Sequence, residues 1–304
     1  MDKHLVFLPV VMSNSNSLFQ ASLGAEIEGA VLPISQWVIP KRVYKWAIRW
    51  DAVQISKDGS YIWAGRHYDD NALALQGHEQ IITVKGCPEW ARLWPIASSP
   101  PKPEFYPDAA KFINAVQDRY NPKAIEFYNE VDCISGTGEP EFFGAWVGPN
   151  ETWSTGGKRY GNAVAQIYPL LRAKLLVGAL MMHDYSLEFL TGALHAGLKG
   201  DAISFHCYVH NPNEFEKPMR LADEISYIAR VCEFNVPLVM TETSVTGPVN
   251  TEELRKWQVD YLTKIIPWKG VILKIWYTLA NNCWVNSDLI DRIPKPVYQV
   301  WKDA

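Results

Sequence analysis

Residues 201–244 read DAISFHCYVHNPNEFEKPMRLADEISYIARVCEFNVPLVMTETS. The stretch opens on a β-rich run, Ala202–Cys207, passes into Pro218–Phe234, where apolar residues recur at three- and four-residue spacings, and closes on a second apolar run, Leu238–Glu242. Such runs predict strands and such spacing predicts a helix, so the segment reads as strand, helix, strand. That is the repeating unit of a parallel sheet.

Working outward, the same unit recurs on both sides. Further strands are expected at Ser22–Glu28, Tyr44–Trp50, Glu79–Lys85, Ala124–Asn129, Leu175–Leu180 and Val271–Tyr277, making eight, and further helices at Asp108–Tyr120, Asn162–Arg172, Ser186–Ala196 and Thr251–Ile266. No internal repeat or low-complexity linker divides the chain. Eight strand–helix units over roughly 250 residues or more predict a single (β/α)₈ barrel. Its expected bounds are 19–304, after a short N-terminal extension, 1–18. A doubly wound open sheet competes, but it would usually carry a Gly-rich turn after an early strand, and no GxGxxG is present.

Composition narrows the function. The 304 residues are 48% hydrophobic and 20% charged, with ample material for a core. A formal charge of −4, from 29 basic and 33 acidic residues without long runs of either sign, offers nothing to a phosphate backbone, so nucleic acid is not expected as a partner. No run approaches the ~20 apolar residues of a membrane span. Thirteen Trp is a high number, and the flat indole suits sugar rings as well as cores, which leans toward a carbohydrate partner. Five Cys without a CxxC pair signal neither zinc nor a dense disulfide scaffold. The segment Leu5–Met12 is apolar after a lysine but short for a secretion signal; a secreted or extracellular location is favoured over a cytoplasmic one, and the segment is expected to pack on the domain.

In a barrel the active site lies where strands end. The run Ile125-Glu126-Phe127-Tyr128-Asn129-Glu130 leaves the fourth strand with Glu130 at its C-terminal end, and Leu238-Val239-Met240-Thr241-Glu242 leaves the seventh with Glu242. Strands four and seven lie across the barrel mouth from each other. Two facing acids are what glycosidic-bond hydrolysis needs: one protonated carboxyl for the leaving oxygen and one carboxylate on the other side of the anomeric carbon.

These stretches resemble the clan A glycoside hydrolases, retaining (β/α)₈ enzymes with an acid/base after Asn on strand four and a nucleophile on strand seven. Ala109–Tyr120 followed by Pro122–Asp132 is similar to the helix, turn and Trp-Asn-Glu-Pro-Asn-like strand of family 39 and neighbouring family 5 members. Asp201–Tyr208 resembles their strand-six His-x-Tyr segment, Pro237–Thr243 the nucleophile strand, Lys274–Leu279 the strand-eight Trp segment, and Lys295–Tyr298 the closing helix. Val131-Asp132 stands where the family usually has Pro-Asn. The resemblance implies a retaining glycosidase acting on a β-linked oligo- or polysaccharide without a cofactor, with Glu130 as acid/base and Glu242 as nucleophile. It also implies that Asn129 bonds the sugar 2-hydroxyl and that Trp276 floors the sugar, with Tyr277 pointing away. The family's strand-two Arg falls on Lys45; Arg49 lies four residues on, facing the same side, and either is a candidate partner of the nucleophile.

His206 and Tyr208 share one face of strand six and are candidate cleft residues. His206 and His210 have a four-residue spacing that would bind a metal only on a helix, which the β-like context and Pro212 oppose. Trp90 follows strand three and is a candidate cleft flank, while Trp146, Trp153 and Trp284 fall in loop-like stretches as candidate outer platforms. Two rivals stand beside the glycosidase. One is a barrel that only binds glycans, the other a metal-dependent sugar-converting barrel, which would need a His and Asp cluster at several strand ends.

Overall fold

The computed structural model describes residues 18–19, 23–26, 40–64, 67–133, 144–247, 251–277, 290–291, 293–294 and 296–304. Nearly all of the expected N-terminal extension, with Cys283 and Trp284, lies outside them. Eight parallel strands close in sequence order: β1 (Leu23–Glu26), β2 (Val43–Arg49), β3 (Glu79–Lys85), β4 (Ala124–Phe127), β5 (Leu175–Leu180), β6 (Ala202–Val209), β7 (Leu238–Val245) and β8 (Leu273–Trp276). β8 pairs with β1, so the sheet has no free edge. Two short helices, α1 (Trp50–Val53) and α2 (Tyr68–Ala74), lie between β2 and β3. Then α3 (Tyr106–Tyr120), α4 (Trp153–Ile167), α5 (Ser186–His195), α6 (Lys217–Val231), α7 (Glu252–Ile265) and α8 (Pro296–Asp303) each follow a strand, from β3 to β8. The fold is the (β/α)₈ barrel that the alternation predicts. Among the described residues, no helix is long and apolar enough to cross a membrane, and Cys87, Cys133, Cys207 and Cys232 are free thiols.

The period of two along each strand sorts the interior into layers. Val43, Ile81, Ala124, Leu176, Ala202, Val239 and Leu273 form one apolar layer inside the barrel. Two residues further along their strands come Lys45, Thr83, Glu126, Ser204 and Thr241, all buried. A polar layer therefore rests directly on an apolar one. The intervening residues, such as Trp46, Ile82, Ile125 and Met240, pack outward in the large cluster shared with the helices.

Strict alternation from Val239 and Thr241 would turn Glu242 outward. The ladder shows why it does not: Phe205 pairs with Met240 but His206 with Glu242, and Met240 pairs with Lys274 while Thr243 pairs with Trp276. The extra residue on β7 is a bulge that resets the phase, so Thr241 and Glu242 both face the interior and Thr243 turns out to Tyr261 on α7.

Several boundaries differ from expectation. β4 ends at Phe127 instead of Asn129, and β7 runs on to Val245 instead of Glu242. The helix expected at Asn162–Arg172 begins instead at Trp153, where Thr152 Oγ1 accepts from Thr155 N. Its first turns, Ser-Thr-Gly-Gly, read as loop because glycine is a poor helix former. Tertiary packing overrides that preference: a Cβ on Gly157 would stand 2.0 Å from the Phe189 carbonyl oxygen and one on Gly161 2.2 Å from that of Ala193. The glycines let α4 lie backbone to backbone against α5.

Candidate active site

Glu242 emerges from the β7 bulge into a fixed set of partners. Lys45 Nζ, on β2, donates to its Oε1 at 2.5 Å, and the Tyr208 hydroxyl, on β6, donates to its Oε2 in a short hydrogen bond. His206 Nδ1 lies 3.4 Å from the same Oε2. Both basic groups are out of solvent, with Lys45 1% exposed and His206 fully buried.

Glu130 arrives differently. After β4 the chain turns through left-handed conformations at Tyr128 (φ 67°) and Glu130 (φ 47°), uncommon for non-glycine residues and costing roughly 1–3 kcal/mol each. The turn is held by Gly144 N–H, which donates to the Asn129 carbonyl, and by the Tyr128 hydroxyl, which donates to the Ser99 carbonyl. Behind it Asp132 accepts from Met181 N and from Ser186 Oγ, tying the β4 loop to the β5 loop. Glu130 Oε1 is 3.1 Å from His206 Nδ1, whereas Oε2 is buried without a hydrogen-bond partner among the described residues. One ligand atom from each of Glu130, His206 and Glu242 lies within 4.8 Å of the others, so the two carboxyl groups face each other across a narrow gap.

The environments push the two acids apart in pKa. Burial raises that of Glu130, and the negative charge of Glu242 adds to the rise, against an opposing pull from His206. Burial would raise Glu242 too, but His206, Lys45 and the hydrogen bonds from Lys45 and Tyr208 overcome it and hold it at about 2. His206 loses by burial and gains more from Glu242 and Glu130, so its pKa is raised. Lys45 is likewise penalised by burial and more than repaid by Glu126, Glu242 and Glu26, which keep it charged. Glu130, His206 and Glu242 form a ligand set that a dication could use, beside the charged Lys45 at 2.5 Å from Glu242 Oε1.

Sequence reasoning passed over the residues beneath this pair. Glu126 is fully buried on β4, bonded by Thr83 and Thr241 and 3.3 Å from Lys45; Glu26 on β1 lies 3.4 Å from Lys45. The available signal was phase: Lys45 and Glu126 occupy inward positions of neighbouring apolar strands.

Lys45, His206, Tyr208, Glu130 and Glu242 come together, and Asn129 adjoins them, half-buried. Other residues lie elsewhere. Arg49 is engaged by Asp51 at 2.8 and 3.1 Å at the end of β2, so of the two candidate cations Lys45 is the one on Glu242. Trp276 packs with Tyr261 of α7, because Leu273 and Ile275 take the inward positions of β8. It is Tyr277, expected to point away, whose ring meets Tyr208 edge-on at 5.6 Å. Trp90 packs edge-on against Trp50 and Phe105 in an aromatic cluster. Trp146 is fully buried among Phe127, Tyr128 and Tyr160, a core residue where a platform was expected. Trp153 stacks on Tyr185 at 4.1 Å and donates to the Asp132 carbonyl. His210 bonds Thr246.

No family model and no curated protein matches the chain. Solved structures do. A family 39 glycoside hydrolase from Bacteroides cellulosilyticus WH2 superposes with a TM-score of 0.62 at 14% identity, covering 93% of this chain and 62% of that one. A curdlan-specific exo-β-1,3-glucanase of family 128 from Blastomyces gilchristii gives 0.57 at 14% identity over 93% and 98% of the two chains. A monomeric β-xylosidase from Caulobacter crescentus gives 0.59 at 15% identity over 94% and 67%. The chain thus shares its fold with glycoside hydrolases of families 39 and 128, and spans about three-fifths of the length of the family 39 enzyme.

Proposed function

We propose that this protein is a retaining glycoside hydrolase that cleaves β-linked oligo- or polysaccharides by double displacement. One observation carries the reading: two buried glutamates at the ends of opposite barrel strands, with an oxygen of one within 4.8 Å of an oxygen of the other, are driven toward opposite protonation states. Retaining enzymes hold their carboxyl groups ~5–5.5 Å apart, while inversion needs ~6.5–9.5 Å to admit a water between carboxylate and sugar. The shared fold with glycosidases is consistent with it.

Glu242, ionised and fixed by Lys45 and Tyr208, attacks the anomeric carbon as Glu130 gives its proton to the departing oxygen. A glycosyl ester forms on Glu242. Glu130, now a carboxylate, takes a proton from water, the water oxygen attacks the anomeric carbon, and Glu242 leaves as carboxylate. His206, touching both acids, offsets negative charge as it passes from one to the other. Asn129, next in the chain to the acid, bonds the sugar 2-hydroxyl, and the partly buried Tyr208 borders the cleft.

The test is covalent. Incubation with 2,4-dinitrophenyl 2-deoxy-2-fluoro-β-glycosides of glucose, xylose and mannose, followed by peptide mass spectrometry, should leave one sugar on Glu242. A label on another residue, or α product first formed from β substrate by proton NMR, overturns the mechanism. Release of reducing sugar from β-1,3-glucan, xylan and mannan tests hydrolysis against mere glycan binding.

A further inference from the structure

The mechanism above leaves two buried carboxylates beside Lys45 without a task, Glu26 and Glu126, of which Glu126 is the deeper. Glu126 lies four residues before Glu130, completely out of solvent. Thr241 Oγ1 donates to its Oε1 at 2.7 Å, Thr83 Oγ1 donates to its Oε2 at 2.9 Å, and Lys45 Nζ lies 3.3 Å from Oε2. Lys45 is at the same time 2.5 Å from Glu242 Oε1. A single ammonium is therefore shared by the carboxylate that reacts, by Glu26 at 3.4 Å near the mouth, and by Glu126, which is fully buried. Removing a carboxylate from water is costly, and Lys45 already has a closer partner in Glu242. Packing does not call for a second anion, since the equivalent interior positions on β3, β6 and β7 hold Thr83, Ser204 and Thr241.

Resting on the double-displacement reading, we infer that Glu126 is a positioning residue that keeps Lys45 in place and counter-charged while Glu242 is esterified, and so stabilises the glycosyl-enzyme relative to the free enzyme. When Glu242 bonds to the anomeric carbon and the glycosidic C–O bond breaks, the proton of Glu130 goes to the leaving oxygen and the negative charge of Glu242 disappears. Lys45 would then be a buried cation with its closest partner gone. Glu126, anchored through both oxygens on β3 and β7, remains as the closer of its two other partners, Glu26 being 3.4 Å away. On hydrolysis of the ester the charge returns to Glu242, which finds Lys45 where it left it. Glu126 also takes part of the pull of Lys45 in the free enzyme, so that Glu242 stays anionic without being over-stabilised as a carboxylate.

The two half-reactions should therefore respond to loss of this charge in opposite directions. In Glu126→Gln, which keeps the shape and one of the two acceptor oxygens, the full field of Lys45 falls on Glu242. Formation of the glycosyl-enzyme, read as the inactivation rate with whichever fluoroglycoside labels the wild type, should fall at least about tenfold, as for a like-charge effect of one pKa unit. Reactivation of the isolated fluoroglycosyl-enzyme in buffer should be as fast as in the wild type or faster. Glu126→Asp, which restores the charge, should recover part of the loss. Should Glu126→Gln fail to give the wild-type circular dichroism spectrum, Thr241→Val, which loosens the anchor and leaves the charge, should show the same split more weakly. Equal slowing of both steps means that Glu126 only supports the fold, and unchanged rates mean that it does nothing; either overturns this inference while leaving Glu242 labelled. If no fluoroglycoside labels the wild type, the double-displacement reading falls and takes this inference with it.

Discussion

The two sides of the cleft hold the same side chain by different means. On the β7 side, Glu242 stands on a regular strand, aimed by a bulge, with donors on both oxygens. On the β4 side, Glu130 stands past the end of a four-residue strand on a left-handed backbone, with one oxygen facing His206 and the other lacking a hydrogen bond among the described residues. A glutamate whose charge is satisfied stays ionised, and one whose charge is buried without full compensation keeps its proton. Chemical role is thus assigned by surroundings, since the residue type is the same.

The sharpest way to break that contrast is to delete the satisfied side. Glu242→Ala should lower turnover by on the order of 10⁴-fold or more while leaving the fold intact, because the nucleophile acts as part of a unit. Azide should restore some turnover of an aryl glycoside and give an α-glycosyl azide. Full activity in the variant would remove Glu242 from its role.

Deleting the other side should be selective. Glu130→Ala should cost substrates with poor leaving groups about 10²–10⁴-fold and dinitrophenyl glycosides much less in the bond-breaking step, since a good leaving group needs little proton donation. Equal losses on both would give Glu130 another task. Tyr208→Phe sharpens the comparison within one side. It removes a hydrogen bond to the charged form of Glu242, so the acid side of the pH–rate profile should move to higher pH, with a loss of roughly tenfold near neutrality. An unmoved acid limb would mean that Lys45 and His206 alone fix the carboxylate.

The smallest effect is on stability. The pKa of Glu242, about 2 in the folded chain, lies below its unfolded value of about 4.3, so the stabilisation it provides is complete above that value and fades as pH falls toward 2. Urea unfolding of wild type and Glu242→Gln should show a stability gap that narrows as pH falls from 6 to 3. A gap independent of pH would place its origin in shape instead of charge.

Much of the fold and both acids of the site are legible in the sequence. Eight strands with five helices spaced among them, and two acids leaving opposite strands, are one-dimensional patterns with a direct spatial meaning. The glycine-rich start of α4 was not, because its reason lies in α5, thirty residues on. Trp276 and Tyr277 exchanged expected places because only the inward Leu273 and Ile275 reveal the phase of β8. Glu126 escaped notice for a similar reason: a charge inside an apolar strand takes its meaning from Lys45 and Thr241, on two other strands.

The left-handed turn at Glu130 also bears on how this protein can be changed. Glycine is the residue that such a backbone prefers, so a screen that rewards melting temperature alone would select Glu130→Gly and discard the acid. On the proposed mechanism, heat resistance and turnover are opposed at this position. An engineer seeking a hardier catalyst would leave the turn strained and gain stability elsewhere, on the outer faces of the helices, where no residue is asked to hold a proton.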